Sequence, residues 1–553
     1  MSRYRNGIGQ ADDRSVIRAR SAAAVARSRS LMERSGIDRA DTKTSYAEKE
    51  KMSRLLKYPQ LLALLAGGLT TLAFSPFHLW PLAVAAPALL FHLLTRDGVS
   101  GFRTGFAYGL GLMGSGVSWL HVSIAQFGDL GWLFPLVVTL VFVAIMALYY
   151  GLFGWLAVRF PLSARSRLML LFPALWVLLE WLRGWLFTGF PWLQLGYALI
   201  DTPLAGYAPV FGILGSSLAA VFTAGALAAI AIKGRGRWLP AALMLTLWLG
   251  GWGLMQVNWT APAGAPLRVA LVQGNIPQAL KWEPDQLTPS LVLYAEQSKL
   301  HFDRDLIVWP ETAVSAFQYQ VDEPFLVPLE AAVKRNGTHL VFGVVQMDKS
   351  REHYYNAMVA LGNPERDNYY KQHLVPFTEY LPLKPLLWPL VQLFTIPMSD
   401  FSAGSGKPVM RVGPYLAGMS ICYEDAFGSE TIEAMPEAAY LINASNDAWF
   451  GRSLAPYQHL QIARMRALET GRYLLRATNT GISAIVGPKG RLLKVSPLMA
   501  LDVLTGEIRP MSGSTPYSRY GSLAILALAV LLLILAFPCA HRGLRRRDDE
   551  RAN

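Results

Sequence analysis

YLAGMSICYED, residues 415–425, decides how the second half of the chain folds. Its first nine residues, YLAGMSICY (415–423), carry no charge and read as a strand. The end of that strand carries the thiol of Cys422, with Glu424 close behind. Outward from it, short β-branched runs alternate with amphipathic stretches between Pro266 and about Pro510, the pattern of an α/β domain. LRVALVQ (267–273), DLIVWPE (305–311), HLVFGVV (339–345), AYLINAS (439–445) and ISAIVGPKGRLL (482–493, with a Pro-Lys-Gly turn) read as further strands. Helices are expected over 287–302, 323–335, 429–435 and 457–470. Three strand ends each deliver a reactive group: Glu311 in WPET, Lys371 in YYKQHLVPFTEY and Cys422 in SICYED. Strand ends of such sheets converge on one site.

The rest of the chain is of another character. Of 553 residues 52% are hydrophobic and 16% charged, against about a quarter charged in soluble domains. Eight apolar segments approach the roughly 20 residues a bilayer requires: 58–77, 80–94, 104–122, 131–158, 168–187, 210–232 and 238–257 before the α/β region, and 523–537 after it. Arg96 and Arg103, then Arg159, Arg165 and Arg167, then Lys233, Arg235 and Arg237 occupy alternate loops, and the loops between carry neither Lys nor Arg. Basic flanks stay on the cytoplasmic side. Both termini are therefore expected inside and the large domain outside. The resulting division is a cytoplasmic, disordered extension (1–57), seven spans (58–257), a catalytic domain (258–519), an eighth span (520–540) and a basic tail (541–553). Met52, just before the first apolar run, is a second candidate start. The net charge of +13 resides at the chain ends and beside apolar runs, where anionic lipid rather than nucleic acid is the partner. Two cysteines, Cys422 and Cys539, fall on opposite faces in this topology, so neither a disulfide nor a CxxC metal pattern is expected.

A thiol needs a base and a nearby cation before it attacks a carbonyl. Glu311 supplies the first and Lys371 the second, and the ammonium can also stabilise the oxyanion that forms. Taken singly, a strand-end Cys is commonly packed core and a lone Glu or Lys commonly solvated.

The surrounding wording settles the weight. VALVQGNIPQALKW, VWPETA, YYKQHLVPFTEYLP, SICYED and NASNDAWFG resemble the nitrilase superfamily, and the whole chain from about Ser53 to Arg547 resembles the apolipoprotein N-acyltransferases. The resemblance implies an α-β-β-α sandwich inserted before the last span of a multi-span helical membrane domain. It also implies Glu311 as general base, Lys371 as oxyanion-stabilising cation and Cys422 as nucleophile. Glu379 and Glu424 become supporting carboxylates and Tyr423 a site-lining neighbour, with Trp282 and Asn356 at further positions that match. It further implies acyl transfer from a glycerophospholipid, the sn-1 chain of phosphatidylethanolamine, to the amino group of a diacylglyceryl-cysteine on an apolipoprotein. No metal or organic cofactor enters, and the location is the bacterial inner membrane with the catalytic domain periplasmic. A membrane-tethered amidase or nitrilase acting on a soluble amide is the alternative, and a transporter with a ligand-capturing outer domain is a second.

Three features lie outside the triad. Residues 377–397, FTEYLPLKPLLWPLVQLFTIP, are too apolar for an ordinary exposed loop and read as a lid touching the bilayer, or else a loop packed on the spans. Glu180 and Arg183 share one helical face and read as a lipid head-group contact or a structural ion pair. Gly109-Leu-Gly111-Leu-Met-Gly114 fits a dinucleotide fingerprint but lies inside a span, where it reads as close helix packing.

Overall fold

The computed structural model describes residues 58–125, 131–232, 236–385 and 400–537. The extension 1–57, the tip of the apolar loop (386–399) and the basic tail with Cys539 lie outside the described residues. Of two compact units, Met1–Leu62 is described only from residue 58, where helix Pro59–Thr71 opens, and Ala63–Asn553 carries the remainder.

Each of the eight apolar segments contains a helix: Pro59–Thr71, Leu82–Leu94, Gly101–Gly116, Leu133–Arg159, Phe172–Arg183, Ile213–Ala231, Trp238–Gln256 and Leu523–Ala536. Among the described residues three of them, Leu133–Arg159, Ile213–Ala231 and Trp238–Gln256, are long and apolar enough to cross a membrane. In three of the others, Pro59–Thr71, Gly101–Gly116 and Phe172–Arg183, the backbone leaves the helix before the apolar run ends. The 168–187 segment, for example, leaves the helix at Gly184 and passes through Phe187 at φ 54°. The glycine string packs helices, as read: a Cβ on Gly109 would lie 2.8 Å from the Ala147 Cα, and one on Gly111 2.0 Å from the Leu64 carbonyl oxygen.

The α/β region is a four-layer sandwich. One sheet runs in the order Asp502–Ile508, Leu267–Gln273, Leu306–Val308, His339–Met347, Tyr354–Leu361 and Asp367–Tyr370, with Val314–Phe317 also paired to His339–Met347. The other runs Leu492–Val495, Ala484–Val486, Leu474–Thr478, Tyr440–Ser445, Tyr415–Ile421 and Val409–Val412. Val269, Val308, Val341 and Met358 of the first meet Met419, Ile421, Ile442 and Ala477 of the second in one buried core. Helices Pro284–Lys299 and Val327–Arg335 cover the outside of the first sheet through Leu291, Tyr294, Leu329 and Val333. Helix Ala455–Thr470 covers the second through Leu460, Ala463 and Ala467.

That last helix is buried along nearly its whole length although it is rich in polar residues. Helical-half loops lie against its outer side and satisfy those residues. Gln458 accepts from Trp119 Nε1 (3.1 Å) and Trp192 Nε1 (2.7 Å) and donates to the Gly116 carbonyl (3.0 Å). Glu469 accepts from the Ile213 amide (2.6 Å).

Candidate active site

Glu311, Lys371 and Cys422 lie just beyond the ends of strands Leu306–Val308, Asp367–Tyr370 and Tyr415–Ile421. The two sheets bring these ends to one edge. Lys371 is buried with 1% exposure. Its Nζ is 2.8 Å from Glu379 Oε1 and 3.7 Å from Glu311 Oε1. Burial alone would lower this ammonium, but the Glu379 and Glu311 carboxylates outweigh it and hold it well above the usual lysine range. Lys371 is thus a fixed positive charge. Asn356 donates to Glu311 Oε1 (2.7 Å) and reaches Glu379 Oε1 (3.4 Å), which ties the two carboxylates into one frame.

Cys422 opens a 3₁₀ turn with φ at 53°, in the left-handed region that residues other than glycine seldom occupy. Cys422 is half-buried and packs against the core between the two sheets. Burial, and after it the Glu311 carboxylate, pushes the thiol well above the ordinary cysteine range, while Lys371 pulls the other way. The resting group is therefore a thiol.

Glu424 joins the two halves of the site. Its carboxylate accepts from the Ile421 amide (2.6 Å) on the nucleophile's strand, from the Gln372 (2.6 Å) and His373 (3.0 Å) amides after Lys371, and from Tyr369 Oη (3.0 Å). Burial raises its carboxyl to about 7 against Lys371 and these amides. Tyr423 donates to the Gly189 carbonyl (3.1 Å) and stacks on Trp192, so the loop after Arg183 reaches the nucleophile's neighbour. Glu379 has two tasks. Its side chain holds Lys371 and accepts from the Val375 amide (2.8 Å), and its carbonyl accepts from Phe401 (2.9 Å) across the foot of the apolar loop. Trp282 is 51% exposed beside the site.

Glu180 and Arg183 are both buried, but their described bonds go elsewhere, which disfavours a simple ion pair. Glu180 Oε1 accepts from Trp176 Nε1 and the Leu195 amide, both at 2.9 Å, while Arg183 donates to the Phe190 (2.7 Å) and Trp192 (2.6 Å) carbonyls. The two charges line a small cavity with Tyr149, Tyr150, Phe153, Trp176 and Leu179.

Sequence reasoning missed a buried ionic cluster behind the nucleophile. His459 Nδ1 is 2.9 Å from Asp447, and Nε2 is 2.9 Å from Asp425 and 3.2 Å from the Cys422 carbonyl. Arg476 bonds both aspartates, at 3.1 and 3.0 Å. Two cations thus face two carboxylates. Burial and Arg476 disfavour the imidazolium, but Asp425 and Asp447 prevail and raise His459 from 6.5 to about 9. At neutral pH both ring nitrogens donate, one of them to the carbonyl of the nucleophile. A group raised on folding contributes stability that is complete below its unfolded value and fades as pH rises through its folded one. The thermal unfolding midpoint in detergent should therefore fall between pH 6.5 and about 9, and His459→Asn should remove that slope. An unchanged slope in the variant would refute the assignment.

An α-β-β-α sandwich with a thiol, a carboxylate and an ammonium gathered at one edge has the arrangement of a carbon-nitrogen hydrolase-type domain. The carbon-nitrogen hydrolase model matches residues 268–517, and the apolipoprotein N-acyltransferase N-terminal domain model matches residues 66–226. The chain belongs to the apolipoprotein N-acyltransferase family. The apolipoprotein N-acyltransferase of Methylococcus capsulatus is 44% identical over 500 residues, 89% of this chain and 98% of its own. That of Nitrosomonas europaea is 41% identical over 497 residues, 88% of this chain and 99% of its own. Among solved structures, Saccharomyces cerevisiae Nit3 of the nitrilase superfamily is 18% identical, covers 45% of this chain and 93% of its own, and aligns with TM-score 0.34.

Proposed function

We propose that the protein transfers an acyl chain from a glycerophospholipid, through a thioester on Cys422, to the α-amino group of a diacylglyceryl-cysteine at an apolipoprotein's amino terminus. Glu311 takes the thiol proton as sulfur attacks the ester carbonyl, here the sn-1 ester of phosphatidylethanolamine. Lys371 holds the oxyanion. Collapse breaks the ester C–O bond, and the leaving alkoxide takes the proton from Glu311 and departs as lysophospholipid. In the second half the acceptor amine attacks the thioester, Glu311 accepts the amine's proton, and the thiolate leaves and is reprotonated. The chemistry asks for no metal or organic cofactor.

The single observation that supports this most is the Lys371 ammonium held 2.8 Å from Glu379 and 3.7 Å from Glu311 at the strand-end edge that also carries Cys422. Exposed apolar side chains on the helical half fit a lipid surrounding. Leu239, Leu243, Leu245, Leu249 and Trp252 of one helix are 41–59% exposed, a costly arrangement in water. All eight helices are proposed to meet the bilayer of the inner membrane, with both termini cytoplasmic and the catalytic domain periplasmic. The proposed domain limits are 1–57, 58–257, 258–519, 520–540 and 541–553. Glu180 and Arg183, close to the loop that reaches Tyr423, are proposed to contact the donor's head group, and the apolar loop beyond Glu379 to admit lipid tails. Supporting roles for Asn356, Glu379, Tyr423, Glu424 and Trp282 belong to the same proposal.

Incubated with phosphatidylethanolamine and no acceptor, the purified protein should gain one fatty acyl mass on the Cys422 peptide and release lysophospholipid. Added diacylglyceryl peptide should then discharge it. An unmodified Cys422 alongside turnover of a soluble amide would favour the tethered amidase instead.

A further inference from the structure

A second lysine stands beside the triad. Lys281 closes the short helix Gln278–Lys281 that follows strand Leu267–Gln273, and it is 3% exposed. Gln278, on the same turn, accepts from Asn446 Nδ2 (2.7 Å), which anchors the turn at the end of strand Tyr440–Ser445. Lys281 Nζ donates to the Glu311 carbonyl at 3.1 Å and to Thr312 Oγ1 at 2.6 Å. Thr312 has φ at 44°, so the lysine grips the backbone where the chain turns sharply after the base.

The two lysines differ in what holds them. Lys371 faces two carboxylates and keeps its proton. Lys281 bonds a carbonyl and a hydroxyl, which compensate a buried charge less well. Burial lowers it to about 8, although the charges it faces, Glu311 and Cys422, act to raise it. Its charge is the labile one of the pair, and both Glu311 and Cys422 feel it.

We infer that Lys281 is a positioning residue for the base Glu311 and, while protonated, a second positive charge that favours the Cys422 thiolate, so that its loss of a proton weakens the nucleophile on the alkaline side. The inference rests on Cys422 as the nucleophile and not on the identity of the acyl donor.

The test is alkylation of Cys422 by iodoacetamide in the full-length protein in detergent, followed by mass spectrometry of the Cys422 peptide. At about pH 7, K281M should react about tenfold more slowly than the unmodified sequence, the effect of one pKa unit on the thiolate, and K281R should stay within about twofold. By about pH 9.5 the deficit of K281M should shrink to about twofold, because the native lysine has by then lost its charge. Equal rates at the lower pH, or the same deficit at both, would overturn the inference, since a merely structural lysine gives a ratio that ignores pH. If K281M fails to fold, the native protein should slow relative to K281R over the same interval, and a constant ratio overturns it. Should phospholipid leave Cys422 unacylated while alkylation still follows Lys281, the donor assignment fails and this inference stands.

Discussion

Cys422→Ser should abolish acyl transfer, lowering the rate by about 10⁵-fold or more, because the hydroxyl gives up its proton far less readily than a thiol and Glu311 cannot make good the difference. The residue sits at φ 53°, held through its carbonyl by Asn443 Nδ2 (3.3 Å) and His459 Nε2 (3.2 Å). Those contacts are backbone contacts and survive the exchange. The unfolding midpoint should accordingly shift by less than about 2 °C. Activity is read as conversion of diacylglyceryl peptide to its N-acylated form, and the acyl-enzyme by intact mass. Residual activity above about 1% would sink the thioester route. A transporter that only captures a ligand in its outer domain would keep its function in this variant, so the same measurement separates that reading from a catalytic one.

Much of this site was legible because its residues sit where strands end, and strands announce themselves. Leu267–Gln273 holds the unbroken apolar run Val269–Val272, and the structure sets the strand with the bounds expected from the sequence. Eight of the described strands escaped notice: Thr260–Pro262, Val314–Phe317, Tyr354–Leu361, Asp367–Tyr370, Val409–Val412, Leu474–Thr478, Asp502–Ile508 and Met511–Gly513. Each carries polar residues that interrupt the pattern. Asn356 is polar because it braces Glu311, and Asp367 because it accepts from the Arg411 amide (2.7 Å). Helix Ala455–Thr470 was found, but its burial on all sides was not. Its hydrophobic periodicity is weak because the helical half supplies polar partners on the side that would otherwise meet water. The Asp425, Asp447, His459 and Arg476 cluster has no spacing signal, since its members come from four separate elements. Asp447 lay within the quoted NASNDAWFG wording, yet wording alone does not reveal that it faces two cations. Lys281 was likewise passed over in ALKW for its neighbour Trp282. A buried lysine without a nearby sequence partner becomes visible only when the fold places it against the Glu311 backbone.

Lys371→Met should be nearly as severe as loss of the nucleophile, for two reasons that add. Removing an oxyanion donor costs about 10²–10³ in rate. The second cost falls on the base. Glu311 and Glu379 share Lys371 as counter-charge and are bridged by Asn356, so without the cation they are like charges that must share a proton, and Glu311 no longer accepts one freely. The combined loss is expected to reach about 10⁴-fold. Lys371→Arg should not restore it, because a flat guanidinium cannot occupy the buried position from which one Nζ meets both carboxylates at 2.8 and 3.7 Å. The stability of the methionine variant carries its own signature. With its acidic groups raised by mutual repulsion, the variant is most stable when they are protonated and loses stability as pH rises from about 5 to about 7. In the native protein the Lys371 ammonium, held well above its usual range, does not titrate there, so the decline at this site is only that of Glu424, whose carboxyl burial raises to about 7, and the methionine variant should show the steeper one. Thermal midpoints of the two proteins at both pH values test this. A methionine variant that loses activity with a native-like pH profile would mean that Lys371 serves the oxyanion alone, and the shared-counter-charge account of Glu311 and Glu379 would be abandoned.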